Sequence, residues 1–154
     1  MAADLRLEII YFKQNADIEL EFGLHGEYPM RLLTASSDEP RDFLKKLKRA
    51  VGRSTIILTI GGFSDGLPRI LGKSVGLESS AADREKYGIS EPGGEIIMPN
   101  TAVPIVINGI YGGCVLESGA QSIIMLSENR KPRKKIVSSL LVPYIKEHYK
   151  FYGR

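Results

Sequence analysis

The segment TIGGFSDGLPRI, Thr59 to Ile70, gathers residue types suited to holding a phosphate. Gly61 and Gly62 close the apolar run STIILTIGG. Glycines at a strand end let the backbone approach an anion and turn its amides toward it. The loop also carries one acid, Asp65, no histidine, and a Pro-Arg pair, Pro68 and Arg69. A helix beginning near Leu67 would contribute its positive end. A second reading stands beside this one, because many strand-to-helix loops use two glycines simply to turn.

Other reactive groups are few. One cysteine, Cys114, excludes an internal disulfide and suits a reducing, cytoplasmic setting. It follows a glycine pair and reads as a small buried side chain rather than a nucleophile. Zinc needs more ligands than one Cys and two scattered histidines, His25 and His148. A net charge of +3 does not argue for nucleic acid, and there is no Trp for stacking. Arg130, Lys131, Arg133, Lys134 and Lys135 form a basic run at a helix start, where positive charge opposes the helix dipole. The run reads either as a solvated helix start or as a dock for an acidic protein partner or a membrane surface. No apolar stretch approaches the ~20 residues that span a bilayer, and MAADLRLEII lacks the pattern of a signal peptide.

The elements that must position these groups follow from periodicity. LRLEIIYFKQ reads as a strand. In NADIELEFGLHGEY the alternation of IELEF fits a strand, while Ile18 and Phe22 also fit a short helix ending near Gly23 or Gly26. MRLLTAS reads as a strand with Pro29 at its edge. SSDEPRDFLKKLKRAVG predicts a helix capped by Ser37 or Asp38, with Pro40 in its first turn. Its apolar face is Phe43, Leu44, Leu47, Ala50 and Val51, and Gly52 ends it. STIILTIGG is the continuous apolar run of a strand buried on both faces. Leu67, Ile70, Leu71 and Val75 have helical spacing, with Asp65 a candidate cap. Glu78 to Gly94 reads as a helix remnant plus loop. EIIMP, VPIVING, GGCVLES and QSIIMLS read as strands, the last two separated by a Ser-Gly turn. From Pro132 the spacing is helical, with a break at Pro143. The order predicts one domain over residues 1–154, a three-layer α/β/α sandwich whose sheet is mostly parallel with an antiparallel edge. In such sheets ligands bind off the carboxyl ends of the strands, where Gly61 and Gly62 fall.

With these residues in place, the chain resembles the molybdopterin-binding (MoCF-type) domain shared by MoaB, MogA and gephyrin, and most of all the version at the amino end of competence-damage-inducible CinA proteins. Asn15 to Asp38 can be laid on the family's helix-to-Asp segment without a gap. FLKKLKRAVGRSTIILTIGG resembles its next helix and strand, and MPNTAVPIVINGIYGGCVLESGAQSIIML its stretch from MPxGA to the final strand. KIVSSLLVPYIKEH resembles its last helix. The resemblance covers the chain from about Asn15 onward and implies the same fold, a pterin or nucleotide ligand, and a homo-oligomer, dimer or trimer.

The motifs that carry the family's chemistry differ here. YFKQ runs straight toward Asn15 where the family has a GDE-type loop. The paired acids that end the family's glycine loop, which would hold a divalent cation, fall on Pro68 and Arg69. SENRKP, Ser127 to Pro132, replaces the family's PGxP turn. Without a metal to neutralise phosphate charge, the family's route to transfer or hydrolysis is not expected here. The sequence therefore predicts a remodelled pocket that binds a phosphate-bearing small molecule, molybdopterin-like or a nucleotide, with no catalytic residue and no metal. The resemblance places its contacts at Gly61, Gly62, Ser64, Asp65, Arg69, Asn108, Gly112, Gly113 and Asn129. Two rivals are a non-catalytic interaction or regulatory module, and an active molybdenum-cofactor or nucleotide-pyrophosphate enzyme with a rearranged site.

Overall fold

The computed structural model describes residues 6–25, 31–118 and 121–152. Its main sheet is built from β1 (Arg6–Phe12), β2 (Arg31–Ser37), β3 (Ile56–Ile60), β6 (Val103–Ile107), β7 (Ile110–Ser118) and β8 (Gln121–Leu126). A small sheet of β4 (Ser79–Ala81) and β5 (Ile97–Pro99) lies apart. The strands of the main sheet stand in the order β2-β1-β3-β8-β7-β6. β1 pairs in parallel with β2 and β3, and β3 in parallel with β8. β7 runs antiparallel to both β8 and β6, which gives the expected antiparallel edge.

The central strands are apolar because both of their faces are covered. Leu7, Ile9 and Tyr11 of β1 join Leu58, Ile60, Ile124 and Leu126 under α1 (Ile18–His25) and the carboxyl-terminal helices. Ile10 and Phe12 join Ile57, Ile123 and Met125 under α2 (Pro40–Val51) and α3 (Leu67–Ser74). Alternation along each strand thus builds two cores and three layers.

The structure decides one open expectation, corrects two and gives a fourth its form. The ambiguous IELEF segment is helix: Leu20 and Leu24, four apart, are buried, and Ile18 and Phe22 stand 77% and 79% exposed. Asp17 secures that choice by accepting a hydrogen bond from the Leu20 amide at 3.0 Å, as a helix cap does. The first residues outside α2 and α3 are Glu39 and Gly66, and neither helix has a side-chain cap. Ser37 instead closes a turn on Glu39, and Asp65 points elsewhere. Glu78 to Gly94 holds β4 and turns rather than a helix remnant. The break at Pro143 takes the form of a π-helical stretch, Val137–Leu141, between α4 (Arg133–Ile136) and α5 (Val142–Tyr152). A proline has no amide to donate to the preceding turn, and a widened turn accommodates its ring. Pro29, the turn at Gly119, and the side chains of His25 and His148 lie outside the described residues.

Cys114 is fully buried, as expected, and burial pushes its thiol up to about 12 from an ordinary 9.0. The folded state therefore keeps the proton that the unfolded chain loses. Stability is full below about pH 9.0 and falls as pH rises toward 12. Urea midpoints measured from pH 8 to pH 11 should fall more steeply for the native protein than for Cys114→Ala; equal slopes would refute this.

Candidate functional site

Chain order reverses at β1: the chain passes from β1 to β2 on one side, then crosses to β3 on the other. Loops leaving the carboxyl ends of β1 and β3 diverge at such a point and open a crevice. The residues after β1, β3 and β8 meet there.

The glycine loop follows directly on β3. Gly61 and Gly62 take φ values of 97° and 82°, which side-chain-bearing residues rarely adopt. A Cβ on Gly61 would lie 2.5 Å from the Phe12 carbonyl oxygen, so this glycine also lets β1 and the loop touch. The amides of Phe63 and Ser64 donate to the carboxylate of Glu128, each at 3.2 Å, and the Ser64 hydroxyl donates to it at 2.9 Å. Asp65 accepts from the Lys13 ammonium at 3.1 Å. Lys13 follows β1 in the left-handed region, φ 52°, and its ammonium sits 5.5 Å from the Phe12 ring centroid. Both partners of this pair reach water, which keeps its worth small.

Beside the loop lies a cleft of about 490 Å³. It is lined by Phe63, Ser64, Gly66, Pro68 and Arg69 from the glycine loop and α3, by Glu91 and Glu95 to Ile97 from the segment leading into β5, and by Tyr111, Ser127 and Asn129 from β7 and the loop after β8. Phe63 and Tyr111 stand 5.9 Å apart between ring centroids, tilted by 51°. Arg84 steadies the acidic segment by donating to the carbonyls of Glu91 and Gly94 at 2.6 and 2.7 Å.

A β-bulge aims Tyr111 at this cleft. Ile105 pairs with Gly113 and Val106 with Tyr111, so Gly112 is the extra residue. The insertion shifts the alternation and puts Tyr111 on the face of Cys114, toward α3. Tyr111 is 8% exposed, and its hydroxyl has no hydrogen bond beyond the weak approach of the Cys114 thiol. Burial drives its pKa upward.

Of the residues expected to touch a ligand, Ser64, Arg69 and Asn129 line the cleft, and Gly61 and Gly62 shape the loop beside it. Asp65 borders the loop on the Lys13 side. Asn108 belongs to the β6–β7 turn, with φ 52° followed by Gly109 at 78°, as Asn-Gly hairpins require. Gly112 and Gly113 are buried under Ile136 and against Met125, where their missing side chains serve packing. Sequence reasoning missed Phe63, Tyr111, Glu128 and Lys13. Tyr111 had one available signal, a glycine pair next to an aromatic in a strand, which marks a bulge.

The basic run is divided by the fold. Arg133 is only 4% exposed, donating to Asp17 Oδ2 at 3.2 Å and to the Ser127 carbonyl at 3.1 Å. It fastens α1 to the end of β8 and is withdrawn from any surface dock. Lys134 is exposed and approaches Glu19 at 3.6 Å.

The donor set beside the glycine loop does not suit a divalent cation. Pro68 and Arg69 stand where paired acids would be needed, and Asp65 is already engaged by Lys13. Among the described residues no trio of His, Cys, Asp and Glu gathers that could hold a metal.

A scan against protein-family models finds no match, and a sequence search of curated proteins finds none either. Solved structures do match. The CinA protein of Thermoplasma acidophilum, described as of unknown function, superposes with a TM-score of 0.66 at 16% identity, over 94% of this chain and 98% of that one. The molybdopterin biosynthesis enzyme MoaB of Thermus thermophilus gives a TM-score of 0.59 at 16% identity, over 97% and 98%. A MogA structure gives 0.50 at 14%, over 94% and 97%. The chain therefore has the fold of the CinA, MoaB and MogA molybdopterin-binding-domain proteins, the fold that the sequence resemblance implied.

Proposed function

We propose that this protein is a cytosolic binding domain for a phosphate-bearing small molecule, a pterin or a nucleotide, and that it does not follow the metal-dependent route that the family resemblance implied. The observation that carries this reading is the use already made of the glycine loop. Its Phe63 and Ser64 amides and the Ser64 hydroxyl together hold a carboxylate, so the loop is competent to hold anionic oxygen. The adjoining cleft supplies what such a ligand needs: Arg69 for charge, Phe63 and Tyr111 for a flat ring, and Ser127 and Asn129 for polar edges. The pterin class is favoured by the role of the Thermus MoaB in molybdopterin biosynthesis.

The test is a thermal-shift panel of pterin phosphates, adenine and nicotinamide nucleotides and inorganic phosphate, with and without Mg²⁺. A ligand at about a hundred times its Kd adds ~2.7 kcal/mol and raises Tm by several degrees. The expected result is a rise independent of Mg²⁺ and lost in Arg69→Ala. A rise that needs Mg²⁺, accompanied by turnover, would favour the enzyme alternative. A flat panel would favour the interaction module, a homo-oligomer or regulatory subunit. Ile18 and Phe22, bare on the outer face of α1, are the observation that keeps that second reading.

A further inference from the structure

Glu128 is the lone acid of the SENRKP segment, and it stands on the anion-binding donors of the glycine loop. Four other amides of the turn are used within the backbone. Gly61 donates to the Leu126 carbonyl, Asp65 and Leu67 to that of Gly62, and Gly66 to that of Phe63. The successive amides of Phe63 and Ser64 donate to a side chain instead, and each meets a different oxygen of the one carboxylate. A bound phosphate or carboxylate would place its oxygens in the same way.

The segment that delivers Glu128 is held independently of it. The Ser127 amide donates to the Gly112 carbonyl at 2.9 Å, the Lys131 amide to Asn129 Oδ1 at 3.1 Å, and Arg133 to the Ser127 carbonyl at 3.1 Å. The Glu128 side chain is itself only partly buried, so it can swing into water while these braces stay in place.

We propose that Glu128 is an internal occupant of the anion site: it closes the glycine loop in the free protein, and a phosphate-bearing ligand binds by displacing it. This rests on the ligand-binding reading above and adds its regulation. Apparent affinity falls by the fraction of molecules in which the carboxylate has left. A retained carboxylate beside the loop would also repel the incoming phosphate.

The experiment is a titration of inorganic phosphate and of pyrophosphate into ¹⁵N-labelled native protein, Glu128→Ala and Glu128→Gln, followed at the Phe63 and Ser64 amides. Glu128→Ala should bind about tenfold more tightly or better, with both amides shifting. Glu128→Gln keeps an acceptor of the same size, guards against a folding defect, and should fall between the two. Equal affinity in native protein and Glu128→Ala, with both amides shifting in each, would overturn the displacement and leave the binding reading intact. Tighter binding without movement of those amides would also overturn it, since charge removal alone explains that result. No phosphate effect in any of the proteins would sink both proposals.

Discussion

Gly113→Ala should be among the most damaging single substitutions in the chain. A Cβ there would sit 1.9 Å from the Met125 carbonyl oxygen and 3.0 Å from the Leu126 Cα, both backbone atoms of β8. Rotating a side chain cannot relieve such a contact. The φ of 153° is also one that an L residue rarely adopts. Strain and overpacking each cost ~1–3 kcal/mol, so a loss of roughly 3 kcal/mol or more is expected in urea unfolding. That corresponds to a fall in Tm on the order of 10 °C. Gly112→Ala provides the comparison. Its new methyl would meet Ile136 Cδ1 at 2.4 Å, the far end of a flexible side chain, and should cost less. Equal costs would mean that β7 and β8 can part locally, and that the bulge is not fixed by this contact. The fixed bulge matters for function because it holds Tyr111 against the cleft.

Arg133→Ala should be nearly as costly. The guanidinium joins Asp17, which starts α1, to the Ser127 carbonyl at the end of β8. Removing it leaves Asp17 Oδ2 and the Ser127 carbonyl without this donor. Breaking a buried pair costs ~3–5 kcal/mol, and Asp17 retains some water at 19% exposure, so about 3 kcal/mol is expected. Arg133→Lys should recover only part of this, because an ammonium cannot span both acceptors with a planar fork. The further consequence lies at the cleft. The brace on Ser127 sets where Glu128 and Asn129 stand, so broadened Phe63 and Ser64 amide resonances should accompany the loss of stability. A variant with native stability and unchanged loop resonances would show that the other braces suffice.

What the sequence determined by itself was the part of the fold written in short periods. Phe43, Leu47 and Ala50 mark the buried face of α2, and its boundaries follow from Pro40 and Gly52. The unbroken apolar run of β3 implied a strand covered on both faces, which it is. The order of strands and helices led to the layered sheet, and Gly61 and Gly62 marked the loop at the switch point. These features depend on neighbours within a turn or two, and local sterics and alternation express them.

The tertiary structure decided everything that depends on partners far along the chain. IELEF alternates well enough for a strand. It became helix because Leu20 and Leu24 find the core together and Asp17 caps the turn while held by Arg133, 116 residues away. Arg133 reads as one charge in a basic run until that partner removes it from the surface. Glu128 lies in a segment that showed only a lost motif, and it reaches the glycine loop from 64 residues away. Tyr111 faces the cleft because one extra glycine shifts the register of a strand pair, and only the pairing reveals which residue is extra. No local period encodes such meetings. They are set by how strands cross over and by the desolvation that makes a buried charge seek its partner.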